Sequence, residues 1–119
     1  MYFFDTYAII ESFEGNPRYS RFEPYPFVIS VLNVGEFYQY LIRTLGRGKA
    51  EEVIESNSFN VVEISKETIM EAVLFRNHYK KIKFSWADAI GYVFAKRNQL
   101  KFLTGDAEFK GLQNVEFAK

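Results

Sequence analysis

The chain has 119 residues, of which 48% are apolar, with fifteen basic and fifteen acidic side chains and no cysteine. That length suits one domain with a real core and is too short for two. Balanced charge excludes a global field that would draw in nucleic acid, so any such contact must be local. The missing cysteines exclude disulfides, thiolate zinc sites, iron–sulfur clusters and a thiol nucleophile.

Residues 2 to 4 read as a strand, apolar without alternation and so buried on both faces. Asp5 or Thr6 then caps a helix to about Phe13, with Ala8, Ile9 and Phe13 as its core face. Gly15-Asn16-Pro17 stops it, and residues 15 to 26 read as a loop rich in Arg and Tyr. Phe27 to Leu32 is a second buried strand. From about 34 to 45 the residues Val34, Phe37, Tyr38, Leu41, Ile42 and Leu45 form one apolar stripe at helical spacing, with Glu36 in the first turn. Gly46-Arg47-Gly48-Lys49 is not a phosphate loop, because it follows a helix and lacks the earlier glycine. Lys49 to Ser56 is a short polar helix and Phe59 to Ile64 a third strand. Ser65 caps a helix to about Tyr79. Ser85 caps another to about Asn98 that is apolar on most sides, Trp86 included, and is therefore expected to be central and covered. Lys101 to Leu103 is a fourth strand, a turn of helix follows Asp106, and Asn114 to Phe117 is a candidate fifth strand at an edge. Strands alternating with helices predict an α/β fold with a parallel sheet between helical layers. The chain shows no secretory leader and no apolar run long enough to span a membrane, so a cytoplasmic location is expected.

All three aspartates of the chain fall where a helix begins. Asp5 ends the first strand, Asp88 lies in Ser85-Trp86-Ala87-Asp88, and Asp106 in Leu103-Thr104-Gly105-Asp106. Glu36, in Asn33-Val34-Gly35-Glu36, occupies a similar place. Loops beyond the carboxyl ends of parallel strands converge on one rim, so these four acids are expected together there. Gathered carboxylates repel, and a hard divalent cation relieves them. Oxygen donors without His or Cys suit Mg²⁺ or Mn²⁺ rather than zinc. Such ions activate water and clamp a phosphodiester for in-line attack. Each acid also has a purely structural explanation. Asp5 and Asp106 read as helix caps, while Asn33-x-x-Glu36 and Ser85-x-x-Asp88 resemble capping boxes.

Taken together, Phe3-Phe4-Asp5-Thr6, Val34-Gly35-Glu36-Phe37, Ala87-Asp88-Ala89-Ile90 and Leu103-Thr104-Gly105-Asp106-x-x-Phe109 resemble the PIN-domain family. Their order and the short chain look most like the VapC-type toxins of prokaryotic toxin–antitoxin pairs. The resemblance implies a three-layer α/β/α sandwich with a central, mostly parallel sheet of four to five strands over residues 1–119. It implies a metal-dependent endoribonuclease in which Asp5, Glu36 and Asp88 bind Mg²⁺ or Mn²⁺ and Asp106 is a fourth, less direct acid. Thr6, Asn33 and Thr104 would support these ligands; Asn33 stands where many members carry Thr or Ser. Glu108 lies where some members have a further acid and is not expected to ligate. A homodimer and a cognate antitoxin covering the groove are further implications.

Arg18 and Arg21, in a loop with Tyr19 and Tyr25, are candidate contacts to single-stranded RNA, as are Lys80, Lys81 and Lys83 ahead of Asp88. Plain solvated loops account for them equally well. His78, the sole histidine, reads as an ordinary residue at a helix C-terminus rather than a general base. Phe13, Tyr38 and Tyr40 are candidates for a dimer or antitoxin surface. A non-catalytic PIN-like module that binds RNA or protein, with its acids acting only as caps, is the competing function. A receiver or phosphatase reading fails, because Asp5 lacks the neighbouring acids either would need.

Overall fold

Successive side chains of a strand point to opposite faces of the sheet, and the aromatic pairs of this chain use both. The computed structural model describes residues 1–119. Strand β1 (Tyr2–Phe4) is followed by helix α1 (Thr6–Phe13) and a 3₁₀ helix over Pro17–Phe22. Next come β2 (Phe27–Ile29), α2 (Val31–Leu45), α3 (Arg47–Ser56), β3 (Phe59–Val61), α4 (Lys66–His78) and α5 (Trp86–Arg97). The chain closes with β4 (Lys101–Thr104), a 3₁₀ turn over Ala107–Phe109 and β5 (Val115–Phe117). All neighbouring strands pair in parallel, in the order β3-β2-β1-β4-β5.

Phe3, Val28 and Phe102 pack into one core layer with Ala89, Val93 and Ala72 of α5 and α4. Phe4, Ile29 and Leu103, the next residue of each strand, pack into the other with Ile9 of α1, Phe37 and Leu41 of α2 and Ala50 of α3. The expected α/β/α sandwich is therefore present, with five strands and a wholly parallel sheet. Helix α5 lies hard against the sheet at Gly91, where a Cβ would stand 2.6 Å from the Phe3 ring and 3.1 Å from that of Phe102.

Several local expectations are corrected. Strand β2 ends at Ile29, because Ser30 caps α2 three residues earlier than the apolar stripe suggested. Val31 and Leu32 are thus exposed helix residues rather than buried strand. The capping box is Ser30 with Asn33, not Asn33 with Glu36, which places Glu36 in the second turn. The segment read as a loop contains the 3₁₀ helix, with Asn16 as cap and Pro17 at its start. Its Tyr19 and Phe22 are buried, so Tyr19 is not free to stack on a base. Trp86, expected under cover, is 48% exposed at the first helical position. Phe13 is 41% exposed and meets Phe37 edge-on rather than joining the core. No helix is long and apolar enough to cross a membrane.

Candidate metal centre on the sheet rim

The strand order reverses direction between β1 and β4, the point at which open α/β sheets leave a crevice at their carboxyl ends. Asp5 follows β1 there and Thr104-Gly105-Asp106 ends β4 beside it. The Asp5 amide extends the ladder by one bond to the Leu103 carbonyl (3.0 Å), which fixes the carboxylate on the rim. Asp5 is 3% exposed. Its Oδ1 accepts from the Thr6 amide (2.9 Å) and its Oδ2 from the Thr104 hydroxyl (2.7 Å). Thr104 Oγ1 in turn accepts from the Asp106 amide (3.0 Å), so one buried hydroxyl positions both acids. Asp106 Oδ1 accepts from the Glu108 amide (3.0 Å) and caps the 3₁₀ turn. Glu108 is exposed.

Helix α2 brings its acid through a relay. Asn33 is buried and its Oδ1 accepts from the amide and the hydroxyl of Ser30, both at 2.9 Å. Its Nδ2 donates to Thr6 Oγ1 (3.0 Å), and Thr6 donates to Glu36 Oε1 (2.5 Å). The three supporting residues Thr6, Asn33 and Thr104 thus each touch an acid or a residue that does. A groove of about 570 Å³ runs beside them, lined by Thr6, Glu36, Gly35, Gln39 and Arg43 among others. Asp88 forms a reciprocal capping box: its Oδ2 accepts from the Ser85 amide and its own amide donates to the Ser85 hydroxyl, both at 3.0 Å.

The four acids act on one another. Burial pushes the Asp5 carboxyl up to about 8, helped by the charges of Asp88 and then Glu36 and opposed by the hydrogen bonds from Thr104 and Thr6. Burial likewise raises Asp88 to about 6, opposed by its bonds to Ser85 and helped by Glu36 and Asp106. The ion pairs of the molecule are Arg21–Glu116, Arg47–Glu51 and Arg97–Glu71, so no Lys or Arg neutralises any of the four. A buried carboxylate among like charges, lacking a cation, is an unfavourable arrangement that a bound cation would relieve. The donor set is oxygen only, which suits a hard ion. The residues therefore fit Mg²⁺ or Mn²⁺ in kind. They do not form a finished cage: no group of three or more acidic or histidine side chains is gathered tightly enough to hold an ion. Glu36 is turned to Thr6 and Asp88 to Ser85, so ligation by all four requires side-chain movement.

The remaining candidates fall in separate places. Lys80 and Lys83 line a cavity of about 270 Å³ with Arg76, while Lys81 is exposed on the same loop. Arg76 Nε donates to the Phe84 carbonyl (2.8 Å), and its guanidinium lies 4.0 Å from the centre of the Trp86 ring. Sequence reading missed this Arg–Trp pair beside Asp88; the signal was Trp86 at the first position of a capped helix. Arg18 and Arg21 line another cavity, with Lys110 and Lys119, neither of which the sequence singled out. His78 is exposed at the end of α4, against Tyr79 and away from any acid pair. Tyr38 and Tyr40 spend their hydroxyls on Glu51 (2.8 Å) and Glu14 (2.5 Å) within the chain.

The sequence model of the PIN domain matches residues 2–114. No curated protein matches the chain significantly. Among solved structures, a toxin–antitoxin complex from Klebsiella pneumoniae contains a chain that superposes with a TM-score of 0.75 at 23% identity, covering 98% of this chain and 96% of that one. The VapC20 toxin of Mycobacterium tuberculosis, described as cleaving the sarcin–ricin loop, superposes with a TM-score of 0.75 at 18% identity, covering 100% of both chains. At those identities the likeness is one of fold.

Proposed function

The chain belongs to the PIN-domain family, and from that premise we propose that it is a Mg²⁺- or Mn²⁺-dependent endoribonuclease, one PIN unit over residues 1–119, acting as the toxin of a toxin–antitoxin pair. One observation carries the proposal. Asp5 is buried at the β1–β4 switch point, within the field of Asp88 and Glu36, Asp106 acts in turn on Asp88, and no ion pair offsets it. A fold stabilised only by its caps has no need of that repulsion.

Asp5, Glu36 and Asp88 would hold the metal, with Asp106 nearby. When bound, the divalent ion supplies charge neutralisation and water activation for in-line attack on a phosphodiester. Thr104 keeps Asp5 Oδ2 oriented, and the Asn33–Thr6 relay keeps Glu36 on the rim. Pairing with an antitoxin and homodimerisation are part of the same proposal, supported by family membership and by the fold shared with a chain of a toxin–antitoxin complex. A cytoplasmic location follows from an RNA substrate.

A second reading, a non-catalytic PIN module, is favoured by one specific observation: Asp5, Asp88 and Asp106 all serve as caps, and no ready cage exists. The deciding experiment is cleavage of a mixed RNA pool with and without Mg²⁺ or Mn²⁺, comparing wild type with Asp88→Asn. Metal-dependent cutting lost in the variant is expected. Equal cutting by both would remove Asp88 from the site. A folded protein that neither cuts RNA nor binds Mn²⁺ would be the module.

A further inference from the structure

The cavity at the end of β5 carries charge of the opposite sign to the acid cluster. It measures about 660 Å³ and is lined by Arg18, Ser20, Arg21, Lys110, Phe117 and Lys119 among others. Its cations come from three separated stretches: the 3₁₀ helix at Pro17–Phe22, the turn after Phe109, and the end of β5. Of these cations only Arg21 has an ionic partner, Glu116, at a long 3.5 Å. Lys110 lies 5.6 Å from the Phe117 ring centre and Arg21 4.7 Å from that of Phe22, so two of the four heads rest on aromatic faces.

Strand β5, which lines this cavity, is separated by β4 alone from β1, the strand that Asp5 follows. Phe117 is paired with Thr104, and the Ala118 amide donates to the Thr104 carbonyl (2.9 Å). Thr104 is the residue whose hydroxyl holds Asp5 and the Asp106 amide. Neighbouring strands stand ~4.8 Å apart, so the cavity begins about one strand from the β4 end that leads to Asp106 and about two from Asp5 after β1. Gly105 admits this approach, because a Cβ there would collide with the Ala118 carbonyl and the Tyr7 ring. Tyr19 pins the same place from the other side, donating its hydroxyl to the Ala118 carbonyl.

We infer that this cavity seats the phosphodiester backbone of single-stranded RNA on the β5 side of the acid cluster, with Arg18, Arg21, Lys110 and Lys119 as its phosphate-binding groups. The inference rests on the nuclease reading and adds to it where the substrate strand lies. A small anion would be poorly enclosed by so open a cavity. A strand reaching from it to the carboxylates instead presents one phosphate to the cations and a later one to the acids. Cations that grip only the backbone position a strand without reading its bases, so they contribute affinity and register rather than sequence preference.

The test is equilibrium binding of a fluorescein-labelled polyuridine strand to the Asp88→Asn protein in Ca²⁺, across a range of KCl. Arg18→Glu/Lys110→Glu is compared with Lys96→Glu/Lys101→Glu, whose lysines are exposed at the opposite end of α5 and of the sheet. Arg18→Gln/Lys110→Gln removes the charge without reversing it. The first and third variants are expected to bind at least about tenfold more weakly at low salt, and to lower the slope of log K against log[salt] by ~0.7 for each phosphate no longer neutralised. The opposite-end pair is expected to change neither. In the cleaving background, KM rises while kcat is kept. Unchanged affinity and slope in folded Arg18/Lys110 variants would overturn the inference and leave the nuclease reading standing. So would the variants losing an acidic peptide while keeping polyuridine, which would make the cavity a protein-docking site. A parent protein that binds no RNA at any salt would overturn both.

Discussion

Thr104 is the residue on which the rim depends most directly. It is fully buried, and its one hydroxyl donates to Asp5 while accepting from the Asp106 amide. Thr104→Val should leave both partners short of a bond, costing ~1–3 kcal/mol of stability and lowering metal-dependent cleavage. Denaturant midpoints and RNA cleavage rates check the two effects separately. Asp5 itself gives a pH prediction. In the folded protein it keeps its proton up to about 8, whereas an unfolded aspartate loses it near ~3.9. Between those values the folded state binds more protons, so the metal-free protein loses stability as pH rises from about 4 to about 8. Asp88, raised to about 6, adds to the lower part of that window. Asp5→Asn should therefore raise the melting temperature at pH 8, have little effect at pH 4, and flatten the profile. A variant less stable than wild type at pH 8 in chelator would show that the carboxylate is not under strain.

At the scale of elements, two packing points set where the acids stand. Helix α5 carries Asp88 and rests on Phe3 and Phe102 through Gly91. Gly91→Ala should push the helix off the sheet and cost ~1–3 kcal/mol, with cleavage reduced as well because Asp88 moves with its helix. Helix α2 carries Glu36 and is started by Ser30. Ser30→Ala should cost ~1 kcal/mol through the lost bond from its buried hydroxyl to Asn33. It should also loosen Asn33, which passes a hydrogen bond to Thr6. Thermal melts and cleavage assays of these variants distinguish a helix that shifts from one that only frays.

For the whole molecule the deciding quantity is the response to a divalent ion. Mn²⁺ binding to the folded state alone should stabilise it by ~2.7 kcal/mol at a hundred times Kd. Protons compete for the same oxygens, so the stabilisation should be larger at pH 8 than at pH 5. Asp5→Asn and Asp88→Asn should each abolish it. Calorimetric melts with and without Mn²⁺ at the two pH values measure all of this without reference to any substrate. An equal rise in wild type and both variants would place the metal elsewhere.

The order of strands and helices, the caps at Ser65 and Ser85 and the parallel sheet were legible in the sequence, because apolar period and capping residues are local signals; the family was legible through the resemblance carried by its four acid-bearing motifs. The junction position of every aspartate was legible for the same reason. Element ends were read less well where two local signals competed: Val31 and Leu32 prolong an apolar run that looks like strand, yet Ser30 with Asn33 had already begun the helix. Trp86 could be placed on a helix but its exposure could not be read, since that depends on which distant residues pack against the first turn. Only the tertiary structure decided which distant residues share a surface. The β3-β2-β1-β4-β5 order sets Thr104 beside Asp5 and brings Lys110 and Lys119 to Arg18 and Arg21. It also decided that the acids share one field without closing into a cage. Local sequence specifies where a chain turns, whereas the sheet that lines those turns up is built from pairings between residues far apart along it.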